Sequence, residues 1–373
     1  KLFSYICRLP IIMEKLLKKQ LLKKKLIYGF QQIGIGTSNN KESFKWYRKN
    51  LGFNISVFEE FAEAPLMTNY TGGTVQSRHA TLALNLNGGS GLEIWQFTDR
   101  KTEHPNFNIQ LGDTGIFACK IKTKNVKRSF DELSENNVEI IGKIEEDPNG
   151  EKYFFIKDPF GNIFQIVNGK CWFSKTKFLT GGFSGVIIGV TDIEISRKLY
   201  SDVLGFNEIV YDNSGYFDDI QNLPGGKRKF RRILLKNNFN TGGFSKLFGT
   251  GQIELIQSLD RKPNKIFDNR YWGDSGFIHL CFDIKGMDLL GKECSNSGFP
   301  FTVNSKGSFK MENASGHFSY IEDPDGTLIE FVETHKLPII EKFGWNLNLY
   351  KRNPHKPLPN FIIKALKFNQ IKD

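Results

Sequence analysis

The chain has 373 residues and five cysteines, Cys7, Cys119, Cys171, Cys281 and Cys294, an odd and scattered set without a CxxC pair. That length suffices for two domains with their own cores, and the cysteine pattern excludes a disulfide framework or thiolate zinc site and suits a reducing, cytoplasmic setting. The net charge of +11 is terminal: residues 1–27 hold eight Lys or Arg against one Glu and residues 336–373 hold eight against two, leaving −2 for 28–335, so no nucleic-acid partner is expected, and no apolar run is long enough for a transmembrane segment.

In chain order, "MEKLLKKQLLKKKLIYGF" from Met13 sets leucines among lysines and is expected to be a solvated basic N-terminal extension over 1–27. Arg8 and Pro10 interrupt the apolar run before it, and no signal peptide is expected. "QQIGIGT" from Gln31 is β-branched and ends polar, as a strand does, and "NKESFKWYRKN" follows with apolar residues at helical spacing until Gly52 stops it. "GLEIWQ" from Gly91 is a further strand. "GIFACKIK" and "NVKRSFDELSENNVEI" repeat strand and helix, and "DPFGNIFQIV" from Asp158 is a tight turn leading into a strand.

The second half says the same again. "SRKLYSDVLGFN" from Ser196 matches "SFKWYRKNLGFN" from Ser43, "QIELIQ" from Gln252 answers "GLEIWQ", "SGFIHLCF" from Ser275 answers "TGIFACKI" from Thr114, and "EDPDGTLIEFV" from Glu322 answers the DPFG turn. The unit is βαβββ, four times over. Glutamine 165 in the second unit stands where Glu330 stands in the fourth, so one copy lacks a charge that the other has.

The "YRKNLGF" and "YSDVLGF" helix ends, with the two DPxGxxxQ/E turns, resemble the vicinal-oxygen-chelate superfamily of glyoxalases, bleomycin-resistance proteins and extradiol dioxygenases. The resemblance covers Tyr28 to Glu333. It implies an α+β fold of four βαβββ modules in two glyoxalase-like domains, 28–170 and 181–335, with curled mixed sheets around metal clefts and a basic C-terminal tail over 336–373. It also implies a small-molecule substrate, a monomer or homodimer, and one divalent metal ion (Zn, Ni, Fe or Mn).

The family's ligand positions, carried over residue by residue, fall on Gln32, Glu93, His279 and Glu330 if module one pairs with module four. They fall on Ala118, Gln165, Gly185 and Glu254 if module two pairs with module three. The first set is similar to that of glyoxalase I, in which the glutamate at the position of Glu330 also moves the proton of an enediolate held on the metal. Pairing within halves would instead bring Glu254 to His279 and Glu330 as the alternative ligand. His317 and Tyr320, just before the last DPxG turn, are candidates to face substrate.

Residues four positions from the ligands, Gly36, Phe97 and Ser275, lack the polar groups that hold glutathione in glyoxalase I, so a glutathione substrate is not implied. The lysine- and arginine-rich loop between 212 and 232, including Lys227 and Arg232, is expected to carry exposed charge. Two other functions fit the resemblance: an extradiol-type ring-cleaving dioxygenase, which the Tyr320 to Glu330 spacing matches, and a non-catalytic small-molecule binding protein of the bleomycin-resistance kind.

Overall fold

Asn40–Leu51 forms helix α1 because Asn39, extended at the N-cap, accepts the Glu42 N–H on its side chain at 3.1 Å, and Gly52 closes the other end at φ 73°. Asn125 and Asp192 cap α2 (Val126–Glu135) and α3 (Ile193–Arg197) in the same manner, through the N–H groups of Arg128 and Ile195. Helix α4 (Met287–Asn296) follows Gly286 and lacks a local cap. Its first N–H groups, on Gly286 and Met287, are instead accepted by Glu333 Oε2 at 2.9 and 3.0 Å.

The computed structural model describes residues 25–237, 241–306, 309–311, 314–340, 344–350 and 352–372. Residues 1–24 of the expected basic extension lie outside the described residues. Module one runs β1 (Leu26–Gly36), α1, β2 (Ile55–Glu63), β3 (Ser77–Leu84) and β4 (Gly91–Phe97). Module two is β5 (Gly115–Thr123), α2, β6 (Glu139–Glu146), β7 (Lys152–Lys157) and β8 (Ile163–Asn168). Module three is β9 (Thr180–Gly189), α3, β10 (Glu208–Gly215), β11 (Phe230–Asn237) and β12 (Gly251–Ser258). Module four is β13 (Gly276–Lys285), α4, β14 (Val303–Asn304), β15 (Phe309–Met311), β16 (Ala314–Glu322) and β17 (Leu328–Ile340), and β18 (Trp345–Asn348) follows it.

The modules close two curled mixed sheets, each nested around a cleft. The first has the order β14-β16-β17-β13-β1-β4-β3-β2, so module four lies beside module one across the antiparallel pair β1·β13. The second, β10-β11-β12-β9-β5-β8-β7-β6, joins modules three and two across β5·β9. The halves 28–170 and 181–335 therefore do not each close a sheet of their own; each half contributes to both.

Strand alternation then sorts the side chains. Ile33, Ile35, Ile94, Ile121, Ile188 and Leu280 enter the core shared by the two sheets and helices, where Phe30 meets Phe183 with ring centroids 4.9 Å apart. Their neighbours Gln32, Glu93, Lys120 and His279 take the opposite faces, which are the clefts. The repeated motifs lock the modules together. Tyr47 of α1 donates to Asp158 of the DPFG turn at 2.6 Å, and Tyr200 donates to Asp323 of the DPDG turn at 2.9 Å.

Residues 336–373 are not a free basic tail among the described residues. β17 continues into them as far as Ile340, β18 pairs with β17, and a short helix α5 (Asn360–Lys364) and the 3-10 turn after it bury Ile363 and Leu366 in the first cleft's apolar cluster. Lys364 and Lys367 of this segment remain exposed. Among the described residues no helix is long and apolar enough to cross a membrane.

Candidate metal centre

Four side chains converge on the floor of the first cleft. Gln32 comes from β1, Glu93 from β4, His279 from β13 and Glu330 from β17, each at most 7% exposed. A register shift between Phe30 and Gln32 places one extra residue in β1, and both Gln31 and Gln32 consequently line the cleft. His279 stands opposite Gly34, and a Cβ at Gly34 would come within 2.4 Å of the imidazole Cε1, so glycine is the residue that leaves room for the ring. Trp272 packs parallel to the ring, with its indole nitrogen 3.4 Å from His279 Nδ1.

His279 Nε2 lies 3.2 Å from Glu93 Oε2 and 3.3 Å from Glu330 Oε2, aimed between the carboxylates rather than aligned with either. Ligand atoms on these three residues all lie within 4.8 Å of one another. Such separations resemble the edges of a polyhedron whose donors sit ~2.1 Å from one ion, and one nitrogen with several oxygens suits zinc, nickel, iron or manganese. Gln32 Nε2 is 3.5 Å from Glu93 Oε2 and 3.4 Å from Glu330 Oε2, while its Oε1 has no partner among the described residues. Rotating the amide by half a turn presents that oxygen to the same point. The residues present therefore fit a divalent ion.

The electrostatics agree. Burial opposes a charge on His279, but Glu330 and Glu93 outweigh it and hold the imidazolium up to about 9. Burial also works against the Glu93 carboxylate, yet His279, Arg78 and Gln32 leave its pKa below the ordinary value. A cluster that draws positive charge this strongly holds a proton where a metal ion would bind. Tyr320 stands edge-on to His279, with ring centroids 5.5 Å apart, and burial together with Glu330 and Glu93 pushes its phenol well up.

Above this cluster opens a cavity of about 340 Å³, lined mainly by apolar side chains including Trp95, Phe244, Phe248, Phe318 and Leu366. Tyr320 and Glu330 line it, and His317 does not: it faces the other side of β16, where its Nε2 meets Asn304 Oδ1 at 2.7 Å. Alternation along the strand separates the two candidates, correcting His317 as a cavity residue. Trp272, Gln31 and Arg78 are cavity residues that the ligand-position argument did not reach.

Glu254 is not brought to His279. It lies on the second sheet, fully buried, with Oε2 2.7 Å from Lys120 Nζ and Oε1 2.9 Å from Arg232 Nε. Arg232 is thus not exposed loop charge but one of the largest fully buried side chains, tied also to Asp219 at 2.8 Å. Burial disfavours the Glu254 carboxylate, but Lys120 and Arg232 reverse the effect and hold it at about 2. Where the first cleft pairs His279 with Gly34, the second pairs Ala118 with Ile187, so the space for an imidazole is filled by an aliphatic side chain.

Residues 29–166 match the sequence profile of the Glyoxalase/Bleomycin resistance protein/Dioxygenase superfamily. A comparison with curated protein sequences found no match. Among solved structures, a single-site mutant of glyoxalase I from Zea mays is similar at 14% identity and a TM-score of 0.52, over 85% of this chain and 96% of that one. A candidate dioxygenase from Bacillus subtilis is similar at 13% identity and a TM-score of 0.52, over 83% of this chain and 86% of that one. At such identities the likeness is one of fold. The profile match thus covers the first two modules, and along most of its length the chain shares the fold of these structures.

Proposed function

We propose that this chain is a metal-dependent lyase or isomerase of the glyoxalase I type, acting at the first cleft on a largely apolar substrate with two adjacent oxygens that carries no glutathione. One observation carries the reading: Gln32, Glu93, His279 and Glu330 meet at the floor of an apolar cavity, with His279 Nε2 aimed between two carboxylates. A bound divalent ion would supply a Lewis acid that stabilises negative charge developing on the substrate oxygens. Gln32, Glu93, His279 and Glu330 would hold it.

The chain's own residues do the rest. Glu330 is the carboxylate that takes and returns a proton on the substrate carbon, and Tyr320, next to it, fixes the orientation of its oxygens. Trp95, Phe244 and Phe248 exclude water and receive the apolar body. Arg78 is the cavity's one Lys or Arg side chain among the described residues, and it is already paired with Glu60 at 3.0 Å, which leaves little to hold the two carboxylates of glutathione. A ring-cleaving dioxygenase is the weaker reading, since the two-histidine, one-carboxylate iron set finds a single histidine in this cluster.

The test is solvent deuterium exchange into a panel of α-hydroxycarbonyl compounds, run with metal-replete and chelated protein. Exchange that needs the metal supports the reading. A protein that takes up no divalent ion and is not stabilised by any would overturn it and leave a small-molecule binding protein.

A further inference from the structure

Among the described residues the second cleft gathers no metal cluster, yet it retains a cavity of about 290 Å³. Its floor is the face of the second sheet that corresponds, strand for strand, to the metal-binding face of the first. The register makes the comparison direct. In the first sheet Cys281 pairs with Glu330 and Asp283 with Val332; in the second Lys120 pairs with Gln165 and Lys122 with Val167. Similarly, Arg232 lies opposite Ile256 where Ala80 lies opposite Trp95. Lysine has thus taken the places of a cysteine and an aspartate, arginine that of an alanine, and glutamine that of the carboxylate Glu330.

Lys120 and Arg232 are consumed by Glu254. Lys122 is not. It is 6% exposed, and its Nζ donates to the carbonyl of Cys171 at 2.8 Å and lies 5.0 Å from the Trp172 ring. Among the described residues no carboxylate forms an ion pair with it. An ammonium has three donors, so this buried cation keeps donors to spare beside the cavity that it lines. Gln165, 2% exposed, lines the same cavity, and among the described residues its Oε1 has no hydrogen-bond partner. An acceptor left unpaired in a buried site is costly, and a half-turn of the amide brings the Nε2 donor to the same point, where an anion would accept from it.

The two acids in the wall do not cancel Lys122. Glu151 is tied to Lys170 at 2.7 Å, and Asp147 accepts the backbone N–H groups of Asn149 and Glu151 at 2.9 Å. Lys152 and Lys236 stand at the rim with Glu146 and Glu208 at 3.8 and 3.4 Å.

We propose that the second cleft is an anion-binding site, in which Lys122 supplies the charge and the Gln165 amide nitrogen donates a hydrogen bond to a small organic anion bearing a carboxylate or a phosphate. Duplication has then produced two clefts of opposite sign on one scaffold, one built for a cation and the other for an anion. This inference does not depend on the reaction proposed for the first cleft.

The test is calorimetric titration of the full-length protein at low salt with inorganic phosphate and, separately, with succinate. At least one of the two should bind saturably, and the tighter one identifies a phosphate or a carboxylate ligand. Lys122→Met, which keeps the side chain's length and removes its charge, should weaken binding by roughly ten- to hundredfold. Gln165→Leu should weaken it by a smaller factor, and it carries the test if Lys122→Met does not fold, as judged by thermal melting. His279→Ala should leave anion binding unchanged. Failure of both anions to bind, binding that either folded cleft variant leaves intact, or binding that His279→Ala abolishes would each overturn the proposal.

Discussion

Lys120 Nζ and Glu254 Oε2 lie 2.7 Å apart in the second cleft, both side chains almost wholly buried, and Arg232 closes on the other carboxylate oxygen. The triad stands where the first cleft gathers its carboxylates around His279, and it neutralises within the protein what a metal would otherwise neutralise. Glu254→Gln leaves the buried Lys120 without its carboxylate and Arg232 with Asp219 alone, and should destabilise the protein by about 3–5 kcal/mol, read as a lower urea midpoint. The pH dependence follows from a carboxyl held at about 2 against an ordinary 4.5. Because the folded value is depressed, this stabilisation is present in full above pH 4.5 and is lost as the pH falls towards 2. Across that window wild type should lose more stability than the Gln variant.

The two tyrosine–aspartate contacts make a separate prediction about folding. Tyr47→Phe and Tyr200→Phe each delete one hydroxyl from a buried carboxylate, leaving Asp158 and Asp323 with their remaining turn N–H donors. Each variant should lose about 1–3 kcal/mol in equilibrium unfolding. Neither should alter metal content. A substitution that emptied the metal centre without changing stability would contradict this assignment of the motif to module packing.

Much of the first cleft was legible in the sequence because the repeat aligns His279 with Ala118 and Glu330 with Gln165, and because strand alternation places such residues on one face. What escaped did so for identifiable reasons. Arg232 sits in a run of basic residues that reads as loop, but β11 begins at Phe230, so alternation turns Arg231 out to Asp212 and Arg232 in to Glu254. The same parity separates His317 from Tyr320, three residues apart on one strand. Ile363 and Leu366 share a helical face between exposed lysines, an amphipathic signal that the high charge of the C-terminal segment concealed. Trp272 could not be found from ligand spacing, since it reaches His279 from the loop before β13.

Metal content provides the next prediction. Purified protein should hold about one divalent ion per chain, since among the described residues only the first cleft gathers a nitrogen and two carboxylates. His279→Ala should abolish the ion, Glu93→Ala should weaken its binding, and Glu254→Ala should leave its stoichiometry unchanged in whatever folded fraction is recovered. The pH sign is opposite to that of Glu254. With the imidazolium held up to about 9 against an ordinary 6.5, the metal-free protein has this contribution in full below pH 6.5 and loses it as the pH rises through 9. Metal must displace that proton, so its apparent affinity should rise with pH across the same interval. Thermal melts of chelated and metal-loaded protein between pH 6 and 9 measure both trends, and an affinity flat over that range would remove His279 from the ligand set.

Glu330→Gln reproduces in the first cleft what Gln165 already is in the second, an isosteric side chain with nowhere to place the proton. Its carbonyl oxygen can still serve as a donor, so some metal should remain bound. If Glu330 is the base, turnover at full metal occupancy should fall by ~10² to 10⁴, the usual cost of losing general-base catalysis. Loss of metal is therefore separated from loss of the base by measuring exchange and metal content on the same samples. Deuterium exchange into the substrate carbon is the direct readout, because it reports the proton transfer even where product release limits the overall rate. Exchange undiminished in the metal-replete variant would assign the proton to another group, and Tyr320, edge-on to His279 at 5.5 Å and lining the same cavity, would be the next residue to substitute.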